Sequence, residues 1–136
     1  MKRTATAVWN GSGKDGNGKL TTQSTALQQV QYSYKSRFEQ GTGTNPEELV
    51  AAAHSGCYSM KLSFVLGAAG FAPESIETTA AIDFENGVVA GSHLTVKAKV
   101  PGISEEKFKE CAEEAKATCP ISKALSIPIS MDASLA

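Results

Sequence analysis

Three cysteines, a histidine one turn ahead of the first, and an arginine and two glutamates upstream are the side chains of this 136-residue sequence whose types and spacing could do chemistry. Cys57 stands among small residues in "AAAHSGCYSMKL", and Cys119 stands immediately before Pro120. A free thiol has a pKa of about 8.5, so a working cysteine needs a nearby cation or a helix N-terminus to become a thiolate. Cys57 falls about ten residues inside the helix expected around it, too deep for help from the helix dipole. It therefore needs an imported positive charge. Arg37 is the leading candidate, being the arginine on the polar side of the strand that leads into this helix, and its charge cannot be titrated away. Lowering a thiol pKa by two to three units takes roughly 3 to 4 kcal/mol, within reach of a well-aimed guanidinium in a dry site. Cys119 can instead occupy an N-cap, where orphan N–H groups stabilise a thiolate directly. Two thiols with separate activation devices are the pattern of a dithiol redox pair. Ordinary core packing is the alternative for Cys57 taken alone.

The other candidates carry less. Cys111 lies on the apolar stripe of an amphipathic helix with no cation near it in sequence, and is read as packing. A disulfide between Cys111 and Cys119 would have to span about 12 Å of helical rise, too far unless the helix breaks. His54, Cys57 and Cys119 lack the paired spacing of a structural zinc site, so neither a metal nor any other cofactor is expected. His54 reads as a hydrogen-bonded polar residue on a packed helix in preference to a proton-transfer group. Glu47 lies about 15 Å along the helix axis from Cys57. Glu47 and Glu48 are read as complementing the helix dipole; the alternative is that Glu47 serves the thiol's arginine from another chain. His93 and Trp9 read as strand-face and core residues.

These residues must be positioned by the elements around them. Residues 4–9 and 19–27 look like strands about a turn-rich loop, "NGSGKDGNGK", which lacks the ordered spacing of a phosphate cradle. From Gln29 to Glu39 the sequence alternates, with Val30, Tyr32, Tyr34, Ser36 and Phe38 on one face, which predicts a half-buried strand carrying Arg37. Asn45 can cap the next helix, with Pro46 at its first position; Gly70, Phe71 and Pro73 stop it at about Ala69. That helix has two apolar stripes, Val50, Ala53, Cys57, Met60, Phe64 and Tyr58, Leu62, Val65, Ala69, and is expected to be buried nearly all round. A second β section follows, with Asn86-Gly87 as a hairpin turn. Ser104 caps an amphipathic helix with Phe108, Cys111, Ala112 and Ala115 on its apolar side; Cys119-Pro120 opens a short helix, and "SIPISMDA" reads as a final strand. Strands grouped by threes and twos around a central helix predict an α+β fold.

Length and 41% hydrophobic content fit a single domain over residues 1–136. Thirteen basic residues against fourteen acidic ones, with no basic cluster, argue against a nucleic-acid or anionic-membrane partner. His54, Lys61 and several Ser and Gly residues make the central helix a poor membrane span. With no apolar leader at the N-terminus and an odd cysteine count, the expectation is a cytoplasmic protein whose thiols stay reduced between cycles.

The stretches "SRFEQGTGTNPEELVAAAHSGCYSMKLSFVLGAAGF" and "AKATCPISKAL" closely resemble the OsmC/Ohr family, in its osmotically inducible branch of hydroperoxide reductases. The likeness extends over nearly the whole chain. It implies an OsmC-like fold in an intertwined homodimer with two active sites at the subunit interface. Cys57 then matches the peroxidatic cysteine, Cys119 the resolving one, Arg37 the arginine that holds the thiolate, and Glu47 the acid that orients it. The implied substrate is an organic hydroperoxide, and the implied reductant an external dithiol such as a lipoylated protein. An apolar wall from Tyr58, Met60, Phe64 and Phe38 would favour organic hydroperoxides over hydrogen peroxide. The competing classes are a thiol-based redox sensor and a non-catalytic stress-induced binding protein.

Overall fold

A computed structural model describes residues 1–136, in the element order β1-β2-β3-α1-α2-β4-β5-α3-α4-β6, an α+β architecture with two three-stranded sheets. The chain divides into two compact units, Met1–Leu49 and Val50–Ala136. No helix is long and apolar enough to cross a membrane.

In the first unit, β1 (Ala5–Asn10), β2 (Asn17–Thr22) and β3 (Val30–Ser33) form an antiparallel sheet in sequence order. The second strand stops five residues short of the expected end. The Thr22 amide donates to the Leu27 carbonyl at 2.9 Å, and Thr25 takes a positive φ of 61°, so the chain turns there. The strand expected over residues 29–39 is also cut short. It ends at Ser33, and Tyr34–Phe38 wind into helix α1. A capping box decides this: the Ser33 hydroxyl accepts from the Ser36 amide at 3.2 Å, and the Ser36 hydroxyl accepts from the Ser33 amide at 2.8 Å. Alternation of apolar and polar residues could not register that local side-chain competition with the ladder. Trp9, expected in the core, is 36% exposed; it packs on Tyr32 with ring centroids 5.4 Å apart, on a strand exposed along its whole length.

Helix α2 runs Pro46–Ala68. The Asn45 side-chain oxygen accepts from the Glu48 amide at 2.8 Å, which satisfies one orphan donor of the first turn. At the other end Gly70 takes φ +92°, its amide donates to the Gly67 carbonyl, and the Phe71 amide donates to Leu66. This is the paired hydrogen-bond pattern of a Schellman stop, as the Gly-Phe-x-Pro sequence predicts.

The second unit centres on β4 (Ser75–Glu85), β5 (Val88–Lys99) and β6 (Ile129–Leu135). β4 and β5 are antiparallel through the Asn86-Gly87 turn, where φ is positive at both residues (51° and 80°), as a two-residue hairpin requires. β6 pairs parallel to β5, and the crossover between them carries α3 (Glu105–Thr118) and α4 (Pro120–Ala124). Tyr58, Leu62 and Leu66 of α2, Leu94, Val96 and Ala98 of β5, and Phe108, Cys111 and Ala115 of α3 form the core. A large apolar side chain buried this completely contributes roughly 1.5 to 3 kcal/mol.

The expectation that α2 is buried nearly all round is not met in the single chain. The stripe from Tyr58 through Leu62 and Val65 is buried, whereas Met60 is 65% and Phe64 69% exposed. The helix carries two apolar stripes, and one chain covers only one of them.

Candidate active site

Cys57 lies midway along α2, and Cys119 forms the junction between α3 and α4. The two sulfurs are 2.9 Å apart, close enough for one thiol to hydrogen-bond to the other, and neither is in a disulfide. The junction exists because α3 cannot continue through Pro120, which lacks the N–H that the helix would need. The Cys119 amide still closes onto the Ala115 carbonyl at 2.9 Å, and Cys119 then caps α4 with Pro120 at its start. Cys119 is fully buried and Cys57 half-buried.

The electrostatics of the pair are unequal. Burial pushes the Cys57 thiol up, and hydrogen bonding to Cys119 and charge there push it further; the Ile121 amide and Lys61 oppose this without prevailing. Burial also penalises charge on Cys119. Hydrogen bonding from Cys57, from the amide and hydroxyl of Ser122 and from the Ile121 amide outweighs that penalty and holds Cys119 below the ordinary thiol value. Negative charge is therefore better placed on Cys119 than on Cys57. Cys57 must recruit a cation to act as a nucleophile, as its depth in the helix implies.

Lys61, one turn beyond Cys57, joins Cys57, Met60, Phe64 and Pro120 around an open, largely apolar cavity of about 270 Å³. Tyr58 does not contribute to this wall, contrary to expectation. It is fully buried, with its hydroxyl donating to the Ala112 carbonyl at 3.1 Å. One residue advances the helix by about 100°, enough to turn Tyr58 into the core while Cys57 meets the cavity. Phe38 belongs to a different, smaller cavity of about 80 Å³ in the first unit, with Trp9, Tyr32, Tyr34, Arg37 and Pro46.

Arg37 and Glu47 are brought together within one chain. The guanidinium donates from Nη2 to Oε1 at 2.7 Å and from Nε to the two carboxylate oxygens at 3.1 and 3.2 Å. The fork geometry fixes the plane of the guanidinium, which a lysine could not do. Glu47 stands in the first turn of α2, where the dipole reading puts it, and also holds Arg37 of its own chain. The turn into α1 is what brings Arg37 to the start of α2. Burial raises the Glu47 carboxyl, but the hydrogen bonds from Arg37 outweigh this and hold it below the usual range. The same hydrogen bonds raise Arg37 further, so it remains a cation. Arg37 also lies over the Phe38 ring, 5.2 Å from its centroid.

His54 is fully buried, with Nδ1 2.8 Å from the Ser92 hydroxyl and Nε2 2.8 Å from the Ser122 hydroxyl. Burial lowers its pKa, so the imidazole is neutral. This agrees with the hydrogen-bonded reading of His54. The two serines escaped notice because a lone Ser on a strand or helix carries no periodic signal. Among the remaining candidates, Cys111 is buried in the core, and His93 sits on the strand face, 2.6 Å from the Ser130 hydroxyl and 3.1 Å from Asp132.

A two-sheet α+β chain with paired thiols on its central helix and its crossover has counterparts among known proteins. The family model described as OsmC-like protein matches residues 39–134, and the chain belongs to the OsmC family. It is 45% identical over 131 residues to peroxiredoxin OsmC of Escherichia coli K12, covering 93% of this chain and 91% of that protein. Among solved structures, the OsmC-like protein of Mycoplasma pneumoniae superposes with a TM-score of 0.78 at 15% identity, covering 99% of this chain and 97% of that one; the likeness is one of fold. The organic hydroperoxide resistance protein OhrB of Bacillus subtilis superposes with a TM-score of 0.68 at 25% identity, covering 98% of each chain.

Proposed function

We propose that this chain is a thiol-dependent peroxidase that reduces organic hydroperoxides to alcohols, and hydrogen peroxide more weakly, in defence against oxidative and osmotic stress. The coarser part of this reading follows from membership: a chain 45% identical to a peroxiredoxin of the OsmC family is an oxidoreductase that acts on peroxides. The observation that carries the finer part is the 2.9 Å approach of Cys57 and Cys119 beside an apolar cavity.

In this reading the Cys57 thiolate attacks the distal peroxide oxygen. The O–O bond breaks, the alkoxide leaves and takes up a proton as alcohol, and Cys57 is left as a sulfenic acid. Cys119 then attacks the sulfenic sulfur. An S–S bond forms, the S–O bond breaks, and water leaves with the proton of Cys119. An external dithiol, such as the dihydrolipoyl group of a lipoylated protein, restores both thiols by exchange and departs as a disulfide. Arg37, oriented by Glu47, supplies the cation that the Cys57 thiolate requires. Residues 1–136 act as one OsmC-like domain in a cytoplasmic, intertwined homodimer, and no cofactor takes part.

The test is steady-state turnover of an alkyl hydroperoxide and of hydrogen peroxide at equal concentration with the same dihydrolipoamide supply. Many cycles per chain with a clear preference for the alkyl substrate are expected. Comparable rates would overturn the substrate preference, and a single stoichiometric oxidation without turnover would point to a sensor instead.

A further inference from the structure

His54 takes no part in the mechanism above, yet it is fully buried, neutral and hydrogen-bonded at both ring nitrogens. Its partners stand on different elements. Ser92 lies on β5, and Ser122 lies in the first turn of α4, three residues beyond Cys119. His54 itself lies one turn ahead of Cys57 on α2. The histidine therefore ties the helix carrying one thiol to the turn carrying the other.

A neutral imidazole has one N–H and one lone pair, so the two serines cannot play the same role. If Nε2 carries the proton, it donates to the Ser122 oxygen, and the Ser92 hydroxyl donates to Nδ1. The Ser122 proton is then free to point at Cys119, whose charge that hydroxyl stabilises. If Nδ1 carries the proton, the Ser122 hydroxyl must donate to Nε2 and is lost to Cys119. Only one tautomer lets all three groups support a thiolate.

We infer that His54 is a positioning residue for Cys119: through Nε2–H it holds the Ser122 hydroxyl as a donor directed at the Cys119 sulfur. The other titratable groups about this turn are Cys57, Tyr58 and Lys61 from α2 and Lys123 on α4 itself. Tyr58 is a buried phenol whose pKa is pushed up by burial, so it brings no charge to the site. The consequence for turnover rests on Cys119 being the resolving thiol, but its acidity can be measured without that assumption. Losing the hydroxyl donor should raise the Cys119 pKa by about one unit. Thiolate at neutral pH then falls about tenfold, greater intrinsic nucleophilicity restores about threefold, and disulfide formation slows about threefold.

The experiment uses a Cys57→Ser, Cys111→Ala background, in which Cys119 is the remaining thiol, and follows its alkylation rate against pH. Ser122→Ala and His54→Leu should each move the inflection upward by about one unit, while Ser122→Thr, which keeps the hydroxyl, should restore it. Ser122→Ala removes a single oxygen and tests the idea should His54→Leu fail to fold. Nitrogen chemical shifts should place the His54 proton on Nε2. An Nδ1–H tautomer, or an unmoved Cys119 profile in folded Ser122→Ala, would overturn the inference. In the chain with all three cysteines, absence of a Cys57–Cys119 disulfide after peroxide would sink the peroxidase reading while leaving the acidity result standing.

Discussion

Cys57 and Cys119 are separated by 62 residues in sequence, yet their sulfurs lie 2.9 Å apart. Cys57→Ser should abolish peroxide consumption. Cys119→Ser should still consume one equivalent and stop at the Cys57 sulfenic acid, which a second equivalent carries on to sulfinic acid because no thiol intercepts it. Mass spectrometry after stoichiometric alkyl hydroperoxide distinguishes the two, and loss of Cys119 without any effect on Cys57 oxidation state would contradict the pairing.

Burial raises the Cys57 thiol, and the nearest cation on its own helix, Lys61, does not offset this. Arg37→Ala is therefore expected to raise the thiol pKa by about two units and to lower kcat/KM about tenfold at neutral pH, since greater intrinsic nucleophilicity restores about tenfold of a roughly 100-fold loss of thiolate. Arg37→Lys should recover little, since an ammonium cannot reproduce the fork onto Glu47. Glu47→Gln should cost less, about threefold, by loosening the guanidinium. The pH dependence of Cys57 alkylation checks all three, with the inflection moving upward in each variant.

Met60 and Phe64 lie on the face of α2 that a single chain leaves uncovered, 65% and 69% exposed. In the proposed homodimer the partner subunit covers them, at about 1.5 to 3 kcal/mol for each side chain buried. Met60→Glu with Phe64→Ser should shift the protein to monomer in sedimentation velocity at micromolar concentration. Unchanged sedimentation would remove this stripe from the dimer contact.

His54 has a folded-state pKa below its unfolded value of about 6.5. The unfolded chain then binds more protons, so His54's contribution is fully present above about pH 6.5 and declines as the pH falls below it, by up to about 1.4 kcal/mol per pH unit. Urea unfolding between pH 7.5 and 5 should show this decline, and it should be shallower in His54→Gln.

Gly43 takes φ +104°, and a Cβ there would meet the Gln31 carbonyl, which already accepts the Thr44 amide at 2.9 Å. Gly43→Ala should cost more than the roughly 1 kcal/mol expected of backbone strain alone. Because this loop joins Arg37 to Glu47, activity should fall along with thermal stability.

Much of the architecture was legible locally. The Asn45 cap, the Gly70-Phe71 stop, the Asn86-Gly87 hairpin and the Ser104 cap all appear where the sequence places them. Each depends on backbone geometry within a few residues, which residue type encodes directly. The failures cluster where two local signals compete or where covering surface is at issue. Alternation through Phe38 lost to the Ser33–Ser36 capping box, and Trp9, Met60 and Phe64, apolar enough for a core, are exposed in the single chain.

By itself, the sequence determined which groups could react and why each needed help: a cysteine deep in a helix lacks a dipole, and a cysteine before proline sits at a cap. Only the tertiary structure decided how those groups meet. Folding the β5–β6 crossover back onto α2 places Cys119 against Cys57 and joins His54 to Ser92 and Ser122, while the turn into α1 delivers Arg37 to Glu47. Those contacts depend on where whole elements pack, and no local spacing records that.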